Sequence, residues 1–181
     1  MKNKIKTAQS GFTLVELIVV IIILAILGAV ALPKFMDVTT KAQISAVKGA
    51  GGGLGAGVAL FHAQWVANGH TAAQANVAGF GTDDIDANAN GWPVSSSSDV
   101  TALSLVGHCG EVWNGVMQGP PTVQVGGSYA NEDYVASVSG TTCTYTYHGG
   151  NATAPQPDGS NNMTITYASA TGVVQVNNAN E

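Results

Sequence analysis

The feature that most constrains this chain is an apolar run near its start. Phe12 to Leu32 reads FTLVELIVVIIILAILGAVAL, with Glu16 as its one charged residue. As a helix rising ~1.5 Å per residue the run reaches about 30 Å, the thickness of a hydrocarbon core, so it is able to span a membrane. Lys2, Lys4 and Lys6 stand ahead of it and an acidic remainder follows, and the positive-inside rule keeps the lysines cytoplasmic and sends the rest outward. An ordinary secretory signal is cut after its apolar stretch at small residues, and Ala29-Val30-Ala31 offers that bland alternative. Glu16 argues against it. A carboxylate near one end of a hydrocarbon-spanning helix is expensive unless it has a partner or a task, and no lysine within the run supplies one.

Charge placement narrows the function further. All six lysines lie in the first 48 residues and there is no arginine, so from Gly49 onward the chain carries acidic groups alone. Nucleic-acid affinity rests on cations neutralising phosphates, and this region has none to offer. With 181 residues and 45% hydrophobic content the chain can bury one modest core. Cys109 and Cys143 form an even pair in a polar, glycine-rich region, which suits an oxidising compartment and one disulfide. The competing possibility, a reactive thiol beside His108, lacks a base oriented by a third group.

Ser10-Gly11-Phe12-Thr13-Leu14-Val15-Glu16-Leu17 resembles the GFTLxE signature of type IV prepilins. The resemblance implies that a membrane-embedded aspartyl peptidase cuts between Gly11 and Phe12 and methylates the new Phe12 amine. It also implies that Glu16 pairs with the Phe12 amine of an adjacent subunit and so sets axial register, the best-attested use of a buried charge pair. Pro33-Lys34-Phe35, Gly91-Trp92-Pro93 and Cys109 to Met117 (CGEVWNGVM) are similar to the mannose-sensitive haemagglutinin type of pilin. Implied partners are other copies of the chain in a helical homopolymer, the prepilin peptidase, the pilus assembly machinery and the inner membrane before assembly. No nucleic acid and no cofactor is expected.

The expected fold class is α+β. A long N-terminal stem helix, kinked near Pro33, carries an antiparallel β-sheet head packed on its C-terminal half. Residues 1–11 are the expected leader, 12–34 the membrane and filament-core helix, 35–68 the amphipathic stem, and 69–181 a connecting loop and disulfide-stapled head. Val38, Ile44, Val47, Leu54, Val58, Phe61 and Trp65 fall near helical spacing, and Pro33 predicts a kink or local melting. Six glycines between Gly49 and Gly57 each cost roughly 1 kcal/mol in a helix interior, which points to close approach of a sheet or a neighbouring stem. The formal G-x-G-x-x-A match there lacks a preceding strand and a following P-loop lysine. Asp99 is a candidate cap for a helix over Val100 to Leu105 or over Cys109 to Met117. Tyr134 to Ser139 with Thr142 to Tyr147, and Met163 to Tyr167 with Val173 to Val176, read as two hairpins around Gly140 and Gly172.

Asp86-Ala87-Asn88-Ala89-Asn90-Gly91 matches the opening of a calcium loop, making Asp86, Asn88 and Asn90 weak metal candidates. Its twelfth position is Ser97 where a bidentate Glu is required, and Asx-turn chemistry is the simpler account. His62, His70, His108 and His148 show no ligand spacing, and the Ser95 to Ser98 run has no nucleophile elbow, so no catalysis is expected. The favoured function is the major structural subunit of a type IV pilus serving adhesion, attachment or motility. The alternatives are a minor pilin or type II secretion pseudopilin, and a membrane-anchored adhesin or binding module with aromatics such as Trp92, Trp113, Tyr145 and Tyr147 lining a carbohydrate site.

Overall fold

The computed structural model describes residues 12–97, 103–126, 131–149 and 163–177. The chain forms two units, one ending at Thr39 and one beginning at Thr40. Helix α1, Leu14–Ala67, is assigned without a break through Pro33, so the local melting expected there does not occur. Pro33 still withholds the N–H that Ala29 O would accept, a bond the helix does without.

In the second unit α1 is a core helix. Ile44, Val47, Leu54, Val58, Phe61 and Trp65 are buried at three- and four-residue steps along one face. Beyond it, β1 (Asp86–Ala87) pairs antiparallel with β2 (Pro93–Ser95), giving a small two-stranded sheet where the sequence suggested only a loop. Helix α2 covers Val106–Val116, later than one expected window and earlier than the other. Leu105 stands at its N-cap without a side-chain cap bond, and Asp99 lies outside the described residues. Packing holds this short helix instead: Cys109, Val112 and Trp113 are fully buried.

Five strands form the main sheet in sequence order: β3 (Val123–Val125), β4 (Tyr134–Ser139), β5 (Thr142–Tyr147), β6 (Thr164–Ala168) and β7 (Val173–Asn177). The last four are antiparallel, with hairpin turns at Gly140 and Gly172, both at positive φ. The β3–β4 pair is parallel, which makes the sheet mixed rather than wholly antiparallel. Parallel pairs usually need a longer crossover, but a three-residue strand asks the chain to return only ~10 Å. One row of paired residues, Ala136, Tyr145, Ile165 and Val176, crosses four strands, and the first three are buried. These residues join Val47, Leu54 and Val58 of α1 and Trp113 of α2 in one core. The Trp113 ring lies 4.4 Å from Tyr145 and 4.9 Å from Tyr134, and its Nε1–H donates to Pro121 O at 2.9 Å.

Cys109 of α2 and Cys143 of β5 are joined as a disulfide with Cα atoms 5.6 Å apart. That leaves no thiol beside His108. Closing the 34-residue separation stabilises the fold by roughly 3 to 4 kcal/mol on the chain-entropy account.

The glycine run divides by function. A Cβ at Gly51 would strike Val176, and one at Gly57 would overlap the Val116 carbonyl at the end of α2. At Gly49 and Gly52 an added Cβ meets nothing within 4 Å. Gly57→Ala therefore lowers stability by about 1 to 3 kcal/mol through backbone displacement. Gly52→Ala raises it by about 0.5 to 1 kcal/mol through helix propensity. Thermal unfolding of the detergent-solubilised chain separates the two, and equal effects would contradict this packing.

Two core hydroxyls set an alkaline limit. Tyr145 OH donates to Cys109 O at 2.8 Å and Tyr167 OH to Pro93 O at 2.7 Å, both buried. Desolvation raises both phenols well above their ordinary value of 10.0, with a smaller coulombic contribution from Tyr145 at Tyr167. Below about pH 10 folded and unfolded chains both hold these protons, so the two groups add no pH dependence. Above it only the unfolded chain releases them, and stability falls by up to ~1.4 kcal/mol per pH unit for each. Phenolate absorbance should therefore rise in two steps, the second coincident with unfolding, and Tyr145→Phe should shallow the loss.

Candidate functional site

The span Leu14–Phe35 has none of its apolar window buried within the chain. Leu14 is 72% exposed, Leu27 60% and Leu32 66%. At ~1.5 Å per residue its 22 residues reach about 33 Å. Among the described residues nothing covers this surface.

At the head of the span, Thr13 and Glu16 build a reciprocal cap. Glu16 N–H donates to Thr13 Oγ1 at 3.3 Å, while Glu16 Oε2 accepts from Thr13 N–H at 2.9 Å and from Thr13 Oγ1 at 3.0 Å. Leu17 N–H donates to Thr13 O at 3.3 Å as the first turn closes. Thr13-x-x-Glu16 is thus a capping box with Thr13 at the N-cap and Glu16 three residues on. In hydrocarbon no water satisfies the first-turn donors, so a cap contributed by the chain itself matters more than at a wet surface. The T-x-x-E spacing is the sequence signal of this box, alongside the cost of a membrane charge that points to a partner on another chain. Glu16 Oε1 makes no hydrogen bond among the described residues, leaving one face of the carboxylate for a donor from elsewhere. Gly11, half of the expected cleavage site, lies outside the described residues, and Phe12 is 92% exposed.

The calcium candidates are engaged within the fold. Asp86 Oδ1 accepts from Asn76 N–H at 2.9 Å, and its Oδ2 from the Ser95 hydroxyl at 2.9 Å. Asn88 Oδ1 accepts from the N–H groups of Asn90 and Trp92, an Asx-turn arrangement, while its Nδ2 donates to Ser169 O at 2.6 Å. Asn90 Nδ2 donates to Ala170 O at 3.2 Å. The three side chains thus hold β1, its loop and the β6–β7 turn together. Among the described residues no group of three or more His, Cys, Asp or Glu converges as a metal site would require.

The aromatic side chains considered for sugar binding are mostly structural. Trp113 and Tyr145 are fully buried, and Trp92 packs over Gly172 with the His62 ring stacked 4.0 Å away. His62 Nδ1 lies 3.0 Å from Gly91 O, the hydrogen bond that places the ring.

Residues 6–32 match the prokaryotic N-terminal methylation motif. A type IV major pilin protein of Neisseria gonorrhoeae is 59% identical over 39 residues, 22% of this chain and 24% of that relative. A fimbrial protein of Neisseria meningitidis is 59% identical over 39 residues, 22% of this chain and 23% of the relative. The type IV major alpha-pilin of Moraxella bovis is 52% identical over 42 residues, 23% of this chain and 26% of the relative. The chain thus spans about a quarter of the length of the relatives it matches. No solved structure matches it. Thr13→Ser should preserve the cap, whereas Thr13→Ala should weaken the first turn by about 1 kcal/mol. Hydrogen exchange at the amides of Val15 to Leu17 in detergent checks this, and unchanged protection in Thr13→Ala would contradict the capping geometry. In the segment that opens at this cap, the chain is similar to type IV pilins.

Proposed function

We propose that the chain is the precursor of a major pilin, cut between Gly11 and Phe12 by a prepilin peptidase, methylated at the Phe12 amine and polymerised into an extracellular filament. Before assembly it is a single-pass inner-membrane protein with Lys2, Lys4 and Lys6 in the cytoplasm and the head in the periplasm. The domain division follows from this: leader 1–11, filament-core helix 12–34, stem 35–68 and head 69–181. Assembly machinery of the inner membrane supplies the work of extracting the subunit.

The observation that carries this proposal is the wholly unburied span with a capped carboxylate at its start. In lipid the surface is solvated, and in a helix bundle it is buried against other spans, so a subunit can pass from one environment to the other. Glu16 has two tasks in this scheme. Oε2 holds its own helix start, and Oε1 accepts from the Phe12 amine of a neighbour to fix axial register. A secreted head released at Ala29-Val30-Ala31 would discard both features. The disulfide accords with a head matured in an oxidising compartment.

The two tasks are separable. Glu16→Gln keeps an oxygen able to cap Thr13 but removes the charge, so the helix start should survive while sheared filament yield falls about tenfold or more. Glu16→Ala should lose both. Intact mass and N-terminal sequencing of wild-type filaments should give a chain starting at methylated Phe12. Abundant filaments with that start support the major-subunit assignment. A Phe12 start confined to the membrane fraction favours a minor pilin or pseudopilin, and a start near Leu32 overturns the proposal.

A further inference from the structure

The segregation of charge in this chain has a structural counterpart on its surface. From Gly49 to Glu181 there are nine carboxylates and no lysine or arginine, so no permanent cation is available within that stretch. Downstream of the leader region the chain's lysines are Lys34, Lys41 and Lys48. Lys41 and Lys48 lie on the stem portion of α1 within the second unit, and both are exposed. Seven residues apart, they share a helix face to within ~20° and stand about 10 Å apart along the axis. That face is turned roughly a quarter of a circle from the buried row of Ile44, Val47 and Leu54.

An acidic recess complements this basic face. A cleft of about 450 Å³ opens between α2 and the segment leading to β1, with Asp84 and Glu111 in its wall. Both carboxylates are held in place. Glu111 Oε2 accepts from Ser96 N–H at 2.8 Å and from the Ser97 hydroxyl at 3.4 Å, and Asp84 Oδ1 accepts from the Thr82 hydroxyl at 2.7 Å. Each carboxylate has lone pairs beyond those used here. Gly107 borders the same cleft, and an added Cβ there would meet nothing within 4 Å, so its small size keeps the space open rather than serving internal packing.

We propose that the Asp84–Glu111 cleft of one subunit receives the Lys48 edge of a second copy's stem, with Lys41 adding to the attraction. The inference rests on the filament proposal above. In a homopolymer every acidic head repels its neighbours, and the cations carried by the chain itself sit on the stems. Docking a stem lysine in a neighbour's cleft turns that repulsion into a specific contact and biases the partner's orientation. Such a contact, at the rim of an apolar helix bundle, contributes specificity more than bulk cohesion.

Charge exchange in full-length protein, expressed in cells with their assembly machinery, tests this contact. Lys48→Glu and Glu111→Lys should each lower the yield of sheared filaments about tenfold, and the double exchange should recover to within about threefold of wild type. Non-reducing gel mobility and membrane abundance identify variants that have folded with their disulfide. Zero-length carbodiimide coupling of wild-type filaments should join Lys48 to Asp84 or Glu111 of another subunit. Single reversals that assemble at wild-type yield, or a folded double exchange no better than the poorer single, overturn the contact. So does carbodiimide coupling that leaves Lys48 unjoined to both carboxylates. Filaments that dissolve on chelation of divalent cations yet ignore Lys48→Glu would overturn it in favour of metal bridging. Absence of filaments from wild-type cells would instead overturn the filament proposal, which keeps the two failures apart.

Discussion

The rest of this structure depends on an apolar helix that nothing among the described residues covers. Leu14–Phe35 is unburied, whereas the continuation of α1 from Lys41 is drawn into a core by two smaller helix and sheet surfaces. At ~25 cal/mol per Å² of apolar area removed from water, such a span is too costly to leave wet. Lipid and other apolar helices are environments that satisfy it. The second unit has a core of its own, with the disulfide between α2 and β5 and a tyrosine cluster within it.

Placing Glu16 at the third position of a capping box changes the meaning of its charge. A carboxylate in hydrocarbon is ordinarily explained by a distant or missing cation, but here its Oε2 already accepts two bonds from Thr13. The capacity left at Oε1 is what the proposed contact with a neighbour would use.

What could be read from the sequence was what local pattern determines. The three- and four-residue spacing from Ile44 to Trp65 gave the stem, Gly140 and Gly172 located the hairpin turns, and the paired cysteines gave the staple. Features made by distant residues were not legible. The spacing from Asp86 to Gly91 pointed to Asx-turn chemistry, but the bond from Asn88 to Ser169, across 81 positions, has no local signal. Strand β3 is three residues long and acquires its parallel pairing only because β4 lies beside it. Helix α2 begins at Val106 without a side-chain cap because Trp113 and Cys109 fix it from the core side, a determinant no local signal encodes. The glycine run was correctly associated with close approach, but only the structure separates Gly51 and Gly57, which have contacts, from Gly49 and Gly52, which have none.

The most direct test of the central claim is a dipolar contact measured by solid-state NMR in filaments grown from two mixed populations of subunits. One population is labelled at the Phe12 nitrogen and the other at the Glu16 carboxyl carbon. Spans that cover one another in register predict a strong contact between the two labels in the mixed filament. A contact that arises only when both labels sit in one chain would contradict the account, since Glu16 would then serve its own helix alone and register would have to come from elsewhere.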